Sequence, residues 1–357
     1  DTPWRGDQDF GGASVNVDIK IGSGTLTSTS AWRYWNWGPS NDRDFTGLQA
    51  LALSQAPSNH EQCSQEIRYA GNISKRLSGV IGLFALGQKL SADGAHTEEA
   101  GKDQWRFSQN TTSSLWATPG LLDGYGIKSY PNLKTFSGAL FGQIDWEITD
   151  KLHLLPGIRV NYDDKNVDYK RVTYGGLETD DPALIVIKKS VYSDQEFQAQ
   201  IDSVNYSGQI TLSYKATGKI NTYATFATNF KPVGLNLGGL PSANGQPLTE
   251  LAVIKPEKVQ HFEIGIKTSP TPATTANLTM YNTQIKNFQT QVQLADLSLN
   301  RGFLANAEEV RVRGIEFDVN AKPGNYVSLY GAVAYTCLLY TSPSPRDRTR
   351  YRMPSSA

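Results

Sequence analysis

The sequence predicts an all-β fold, an antiparallel transmembrane β-barrel, and three observations carry that prediction. From Phe136 to Ile148, apolar and polar residues alternate. Phe136, Leu140, Ile144, Trp146 and Ile148 hold one parity, and Ser137, Gln143, Asp145 and Glu147 hold the other. Side chains of a strand point to opposite faces in turn, so such a strand has one apolar and one wet face. Tyr206, Gly208, Ile210, Leu212 and Tyr214 repeat the pattern against Asn205, Ser207, Gln209, Thr211 and Ser213. Second, very short turns alternate with long polar loops along most of the chain, as in barrels with one short-turn rim and one long-loop rim. Third, no stretch approaches the ~18 uninterrupted apolar residues of a membrane helix. A bilayer crossing by this chain therefore needs a closed sheet, because unpaired backbone groups in lipid cost several kcal/mol each.

Bulk composition agrees. The chain has 357 residues, 39% of them hydrophobic, with 34 basic and 34 acidic residues, so its formal net charge is zero. That balance offers no electrostatic footprint for nucleic acid. Two cysteines, Cys63 and Cys337, are too few for a disulfide framework.

The elements follow in order. Val15, Val17, Ile19 and Ile21 give a first strand one apolar side, and Gly22-Ser23-Gly24 turns the chain. The next strand, from Thr25 towards Trp37, ends in Trp32, Tyr34, Trp35 and Trp37, an aromatic cluster expected at the membrane–water boundary. After a loop over about 38–60 come strands 62–71 and 78–90, then the longest insertion, about 91–134. Such a long connection in a compact domain is usually functional or disordered. Tight connections recur at Thr149-Asp150-Lys151, at 216–219, at Ser269 to Ala273 and at 322–325, with loops near 174–204, 232–256 and 289–307 between them. The count is roughly twelve strands, long enough for tilted crossings of ~9–11 residues. Val310 and Val312 stand out of parity with Ile315, Phe317 and Val319. Either a β-bulge near Gly314 restores the phase, or Arg311 and Arg313 face outward at headgroup height.

From Cys337 to Ala357 the texture becomes Ser/Pro-rich, with Arg346, Arg348, Arg350 and Arg352 crowded together. This segment resembles translated adapter or vector sequence. It is set apart as a disordered, non-native tail, leaving residues 1–336 as the domain.

Several segments together resemble the barrel of TonB-dependent outer-membrane receptors. They are SQEIRYAG at 64–71, LFGQIDWEITDKLHLLPGIRVNYD at 140–163, NFKPVGLN at 229–236, KPEKVQHFEIGIKT at 255–268 and VRVRGIEFD at 310–318. The resemblance covers nearly all of 1–336. It implies a barrel of about 22 strands with a plugged lumen, of which this chain would supply roughly twelve. The plug that precedes the barrel and the aromatic-ended last strand are missing, so 1–336 reads as an interior fragment. It also implies energy-coupled uptake of a scarce nutrient such as a ferric siderophore, with outer-membrane lipid, the TonB complex and a small-molecule ligand as partners. An open, curved sheet with two unpaired edge strands is the expected form of the isolated piece.

No enzyme chemistry is visible. His60, His96, His153 and His261 lack metal-ligand spacing, and neither a nucleophile elbow nor a Walker loop occurs. No cofactor is implied. Asn41-Asp42-Arg43-Asp44 and Asp163, Asp164 and Asp168 carry enough oxygen ligands for calcium, but they read more simply as solvated loop tips. Glu66, Glu147, Glu263 and Glu316 fall on polar strand faces and suggest a lumen network. Substrate recognition would come from the loops around 38–60, 91–134, 174–204 and 232–256. Trp105, Arg106, Trp116 and Tyr125 are the candidate ligand contacts, because aromatic and arginine side chains combine area with directional hydrogen bonds. These residues serve equally to pack the loop against itself. A passive porin and a soluble all-β binding module are the rival readings.

Overall fold

The structure is a computed structural model that describes residues 4–42, 44, 46–107, 113–243, 246–292, 303–324 and 326–341. Twelve long strands form one antiparallel meander. They are β1 (Arg5–Ile21), β2 (Gly24–Asn41), β3 (Ser58–Ser74), β4 (Leu77–Ala92), β5 (Gly126–Thr149) and β6 (Leu152–Tyr174), then β7 (Gln195–Thr217), β8 (Ile220–Lys231), β9 (Glu257–Thr271), β10 (Thr274–Val292), β11 (Phe303–Ala321) and β12 (Leu329–Thr341). Each pairs with its neighbour in sequence. Two short strands, Leu51–Gln55 and His96–Ala100, continue the sheet above β3 and β4, bridging the far ends of β2 and β5. Among the described residues β1 pairs only with β2 and β12 only with β11, so the sheet is open.

Register aligns the apolar parities across the sheet. One row runs Ile315, Met280, Ile264, Ala224, Leu212, Leu154, Trp146 and Leu77 from β11 to β4. Leu77 opens β4, whereas that strand's exposed apolar residues, Ile81 and Leu83, lie further along it. The belt therefore climbs across the rows, the stagger of strands that tilt against a barrel axis. Its side chains stay exposed in a single layer: Ile81, Leu83, Leu140, Ile158, Ile210, Phe262, Ile264, Ile315 and Phe317 are all exposed. The soluble-module reading needed a second layer packed on these rows, and none covers them among the described residues. No described helix is long and apolar enough to cross a membrane.

The opposite parity is polar and internally bonded. The Tyr223 hydroxyl donates to Glu263 Oε1 at 2.6 Å, His261 Nε2 lies 3.3 Å from Glu263 Oε2, and His153 Nδ1 lies 2.9 Å from Asp145 Oδ1. Arg159 donates to Asn161 Oδ1 at 2.6 Å and lies over the Phe84 and Phe141 rings. Two inward glycines are close-approach positions. A Cβ at Gly265 or Gly314 would come within 2.5 Å of the directly opposite Tyr223 or Tyr281 ring.

Five details differ from the sequence expectation. The strands outrun the predicted bounds, with β5 starting at Gly126 and β7 at Gln195, because backbone pairing continues beyond the apolar belt, where the inward face is buried under the loops and the outward face is exposed. The segment expected as a 174–204 loop carries helix α1 (Pro182–Val191), capped by Asp181 accepting from Ala183 N at 2.8 Å. There is no bulge near Gly314: the β10–β11 and β11–β12 registers run through it unbroken, so Arg311 and Arg313 share the parity of Ile315 and Phe317. The boundary aromatics split across the sheet. Trp32 and Tyr34 share the lipid parity of Leu26, whereas Trp35 and Trp37 point inward with Arg33. The last strand runs Leu329–Thr341, so Cys337 to Thr341, expected as the start of a disordered tail, continue it by pairing with β11, and the tail from 342 onward lies outside the described residues.

Candidate functional site: the outer mouth of the lumen

The buried apolar side chains of this chain sit almost wholly at the long-loop rim, where they build a cap around the inner face. One cluster joins Ala100, Leu121, Leu122, Tyr125 and Ile127 to Leu184, Ile187, Val191 and Tyr192, with Trp116 packed against it. The spacing of Leu184, Ile187 and Val191 puts them on one stripe of α1, which explains why the helix lies on this core. Lys188 clamps the helix, donating from Nζ to the carbonyls of Gly175 (3.1 Å) and Leu177 (2.8 Å) while lying 4.7 Å over the Tyr125 ring.

A second cluster folds the 232–256 connection against the inward faces of β6 and β7. Leu235, Leu240 and Ala252 pack on Val167, Tyr169 and Phe197, the last two stacked at 4.9 Å. Polar pins hold it. Gln195 exchanges two hydrogen bonds with the Leu240 backbone (2.6 and 3.0 Å), and Asn236 exchanges two with the Leu304 backbone (3.0 and 2.9 Å). Reciprocal amide–backbone pairs fix position as well as satisfying both groups. Lower in the lumen, Asp163 is buried, takes a hydrogen bond from the Ser137 hydroxyl on Oδ1, and leaves Oδ2 unpartnered.

The four candidate contact residues divide between these environments. Tyr125 is 4% exposed; its hydroxyl donates to Tyr192 O at 2.8 Å and its ring sits 5.7 Å from that of Tyr192. Burial pushes its phenol up to about 12. Trp116 is half-buried against the same core. Trp105 and Arg106 are exposed side by side, the guanidinium 4.8 Å from the indole centroid. Arg106 Nε donates to Asp103 Oδ1 at 3.0 Å, and Asp103 Oδ2 accepts from Gln49 N at 3.1 Å, tying the second long loop to the first. The Gln49 amide, followed by the Arg106 guanidinium, holds the Asp103 carboxyl below the usual carboxylate range.

The first loop is organised by Asp44. Its Oδ2 accepts from Ala50 N and Leu51 N, and its Oδ1 from Thr46 N and Oγ1, at 2.8–3.0 Å. Burial alone would raise this carboxyl, but these bonds outweigh it and the net shift is downward. With both oxygens committed to the loop's own donors, Asp44 is accounted for without calcium. No group of three potential metal ligands occurs among the described residues.

Inward on β2 and β3, Trp35 and Trp37 stack at 5.6 Å, and His60 meets Trp35 edge-on at 6.2 Å. Trp35 and His60 line a groove of about 450 Å³ with Phe10, Arg33 and Gln62. Sequence reading placed these aromatics at the membrane boundary. Strict parity counting from Leu26 would have sent Trp35 and Trp37 inward.

Comparison with known proteins accords with this geometry. The family description "TonB dependent receptor-like, beta-barrel" matches residues 1–356. The ferric yersiniabactin uptake receptor FyuA from Yersinia pestis superposes with a TM-score of 0.66 at 16% identity, over 93% of this chain and 43% of that one. The siderophore receptor PiuA from Acinetobacter baumannii gives 0.64 at 18% identity, over 94% and 48%. The FrpB iron transporter from Neisseria meningitidis gives 0.60 at 12%, over 95% and 44%. This chain thus spans less than half the length of each of these receptors, and at such identity the likeness is one of fold. The match along the sequence, the tilted belt and the capped polar lumen agree: the chain belongs to the TonB-dependent receptor-like β-barrel family, whose members are transport proteins of the bacterial outer membrane and not enzymes.

Proposed function

We propose that this chain is the barrel part of a receptor for energy-coupled uptake of a scarce nutrient, a ferric siderophore in the first instance. In this reading residues 1–336 are an interior piece of a longer barrel and 337–357 are foreign to it. A plug domain outside this sequence would engage the TonB complex. The observation that carries the reading is the cap itself. Two apolar cores and two reciprocal amide pins hold the outer loops as a built surface around the lumen mouth, as recognition requires and simple sieving does not. The ferric and siderophore cargoes named for FyuA and PiuA support an iron chelate as ligand.

Trp105 and Arg106 are the proposed contacts, offering an exposed aromatic face beside a cation that Asp103 holds in place. Trp116 and Tyr125 instead pack in the apolar core of the same long connection. In the full-length protein, ferric-chelate binding followed by tryptophan quenching should saturate, and W105A or R106A should weaken it about tenfold or more. Solute conductance in planar bilayers with no saturable binding of any chelate would establish the passive porin instead.

A further inference from the structure

We propose that the outer wall of β9–β11 binds the anionic phosphate headgroup of an outer-leaflet lipid. The placement follows from register. Moving from the inner rim outward on the lipid parity, the rows are Ile266–Leu278–Phe317, Ile264–Met280–Ile315, Phe262–Asn282–Arg313, Gln260–Gln284–Arg311 and Lys258–Lys286–Glu309. Apolar rows give way to basic ones along three consecutive strands.

Strands rise ~3.4 Å per residue and tilt ~40°, so Arg311 lies ~10 Å and the two lysines ~15 Å above the Ile264–Met280–Ile315 row. With the Ile264–Met280–Ile315 row taken as the midplane, an apolar band of ~25 Å has a half-height of ~12 Å, and these cations fall at the headgroup level. Arg313 starts ~5 Å above the same row; its long stem reaches upward along the apolar wall. Lys258, Lys286 and Arg313 are exposed, and Arg311 is partly so.

Four cations face one carboxylate here. Glu309 Oε1 accepts from Arg311 Nη2 at 3.1 Å, and Asn282 Oδ1 accepts from Arg313 Nε at 2.9 Å. Each contact takes one of a guanidinium's five donors and orients the fork, leaving the geometry that suits a phosphate. The basic sector is bounded on its β6–β7 side, although a separate basic pair, Lys89 opposite Lys134, shares this parity on β4 and β5. On β6 and β7 the same parity above the belt carries Asp164 opposite Asp202, Asp168 opposite Gln198 and Lys170 opposite Glu196. A general rim charge would not change sign between neighbouring parts of one wall. The site faces lipid, away from Trp105 and Arg106, so it is independent of the nutrient-binding reading.

The test uses the full-length protein in dodecyl maltoside with short-chain phosphatidylglycerol or phosphatidylcholine, counting retained lipid by native mass spectrometry. Phosphatidylglycerol should be retained about tenfold over phosphatidylcholine, and R311Q/R313Q should abolish that preference. K258Q/K286Q should weaken it severalfold, while K20Q near the inner rim should leave it unchanged. Since each basic residue near an anionic surface is worth roughly fivefold in binding, these losses are measurable. Heat-modifiable gel mobility checks that each variant folds. If R311Q/R313Q fails that check, K258Q/K286Q, above the belt, decides alone. The proposal is overturned by equal retention of the two lipids, by variants that keep the wild-type preference, by competition from millimolar inorganic phosphate, or by displacement of the lipid by poly-glutamate. The last result would make the patch a protein-docking surface.

Discussion

Adjacent residues on β7 provide a sharp test of which face meets lipid. Ile210 lies in a row with Pro156, Phe226 and Phe262, one step from the Leu154–Leu212–Ala224–Ile264 row, and is 45% exposed. Gln209 points the other way, opposite Gly157 and Ala227 on the polar parity. An arginine on the lipid face near the midplane of a barrel costs about 2–4 kcal/mol, whereas a lumen position tolerates it. I210R should therefore shift the folding equilibrium by between about one and three orders of magnitude, at ~1.4 kcal/mol per decade. Q209R should change it by less than about 1 kcal/mol, since water and polar neighbours solvate the charge. The assay is urea-dependent refolding of the full-length protein into short-chain phosphatidylcholine vesicles, with the folded fraction read from heat-modifiable mobility. A Q209R penalty equal to or larger than that of I210R would reverse the face assignment and everything built on it.

Three further outcomes follow from the geometry. G265V or G314V should destabilise the barrel by about 1–3 kcal/mol through overpacking. The added carbon meets a Tyr223 or Tyr281 ring, and the hydroxyl of Tyr223 is already anchored on Glu263; an unchanged urea midpoint would refute the close approach. Y125F should remove the hydrogen bond to the buried Tyr192 carbonyl and cost the cap about 1 kcal/mol, visible as faster hydrogen exchange over 184–192 with the barrel strands unaffected. The pH dependence of the cap has two signs. Burial lowers the His96 imidazole below its ordinary 6.5, against weaker opposing effects of the Pro57 carbonyl and Glu98, so its folded state disfavours the proton. The ribbon His96–Ala100 should keep its full stability above pH 6.5 and lose some of it as the pH falls below that value. The Tyr125 phenol is raised, so its contribution holds below pH 10 and disappears as the pH climbs through about 12. Exchange rates of the outer loops that stay flat across both windows would count against these burials.

The candidate site was only partly legible in the sequence. Trp105 and Arg106 were identified by residue type and proved to be an exposed pair, but nothing local to Tyr125 announced that its hydroxyl would be taken by Tyr192, 67 residues away. The anchors of the second cluster, Gln195, Asn236 and Leu240, are ordinary loop residues in sequence. Their importance comes from the chain folding back over β6 and β7. α1 was missed although Asp181-Pro182 and the 184/187/191 stripe are a legible helix start and face; a long polar loop masked ten residues of regular pattern.

Alternation every second residue, short turns facing long loops, and the lack of an apolar helix were enough for the sequence alone to specify strands, their two faces and a membrane-spanning sheet. Those are local properties, since a side chain's face depends only on parity within its own strand. Tertiary structure decided what depends on register between strands. It kept the β11 register unbroken through Gly314, set Arg311 and Arg313 beside Lys258 and Lys286, and packed the loop around Leu121 against helix α1 in one cap. A single-residue slip at any hairpin would exchange inside for outside in every later strand, and the hydrogen-bond ladders across all twelve are what prevent it.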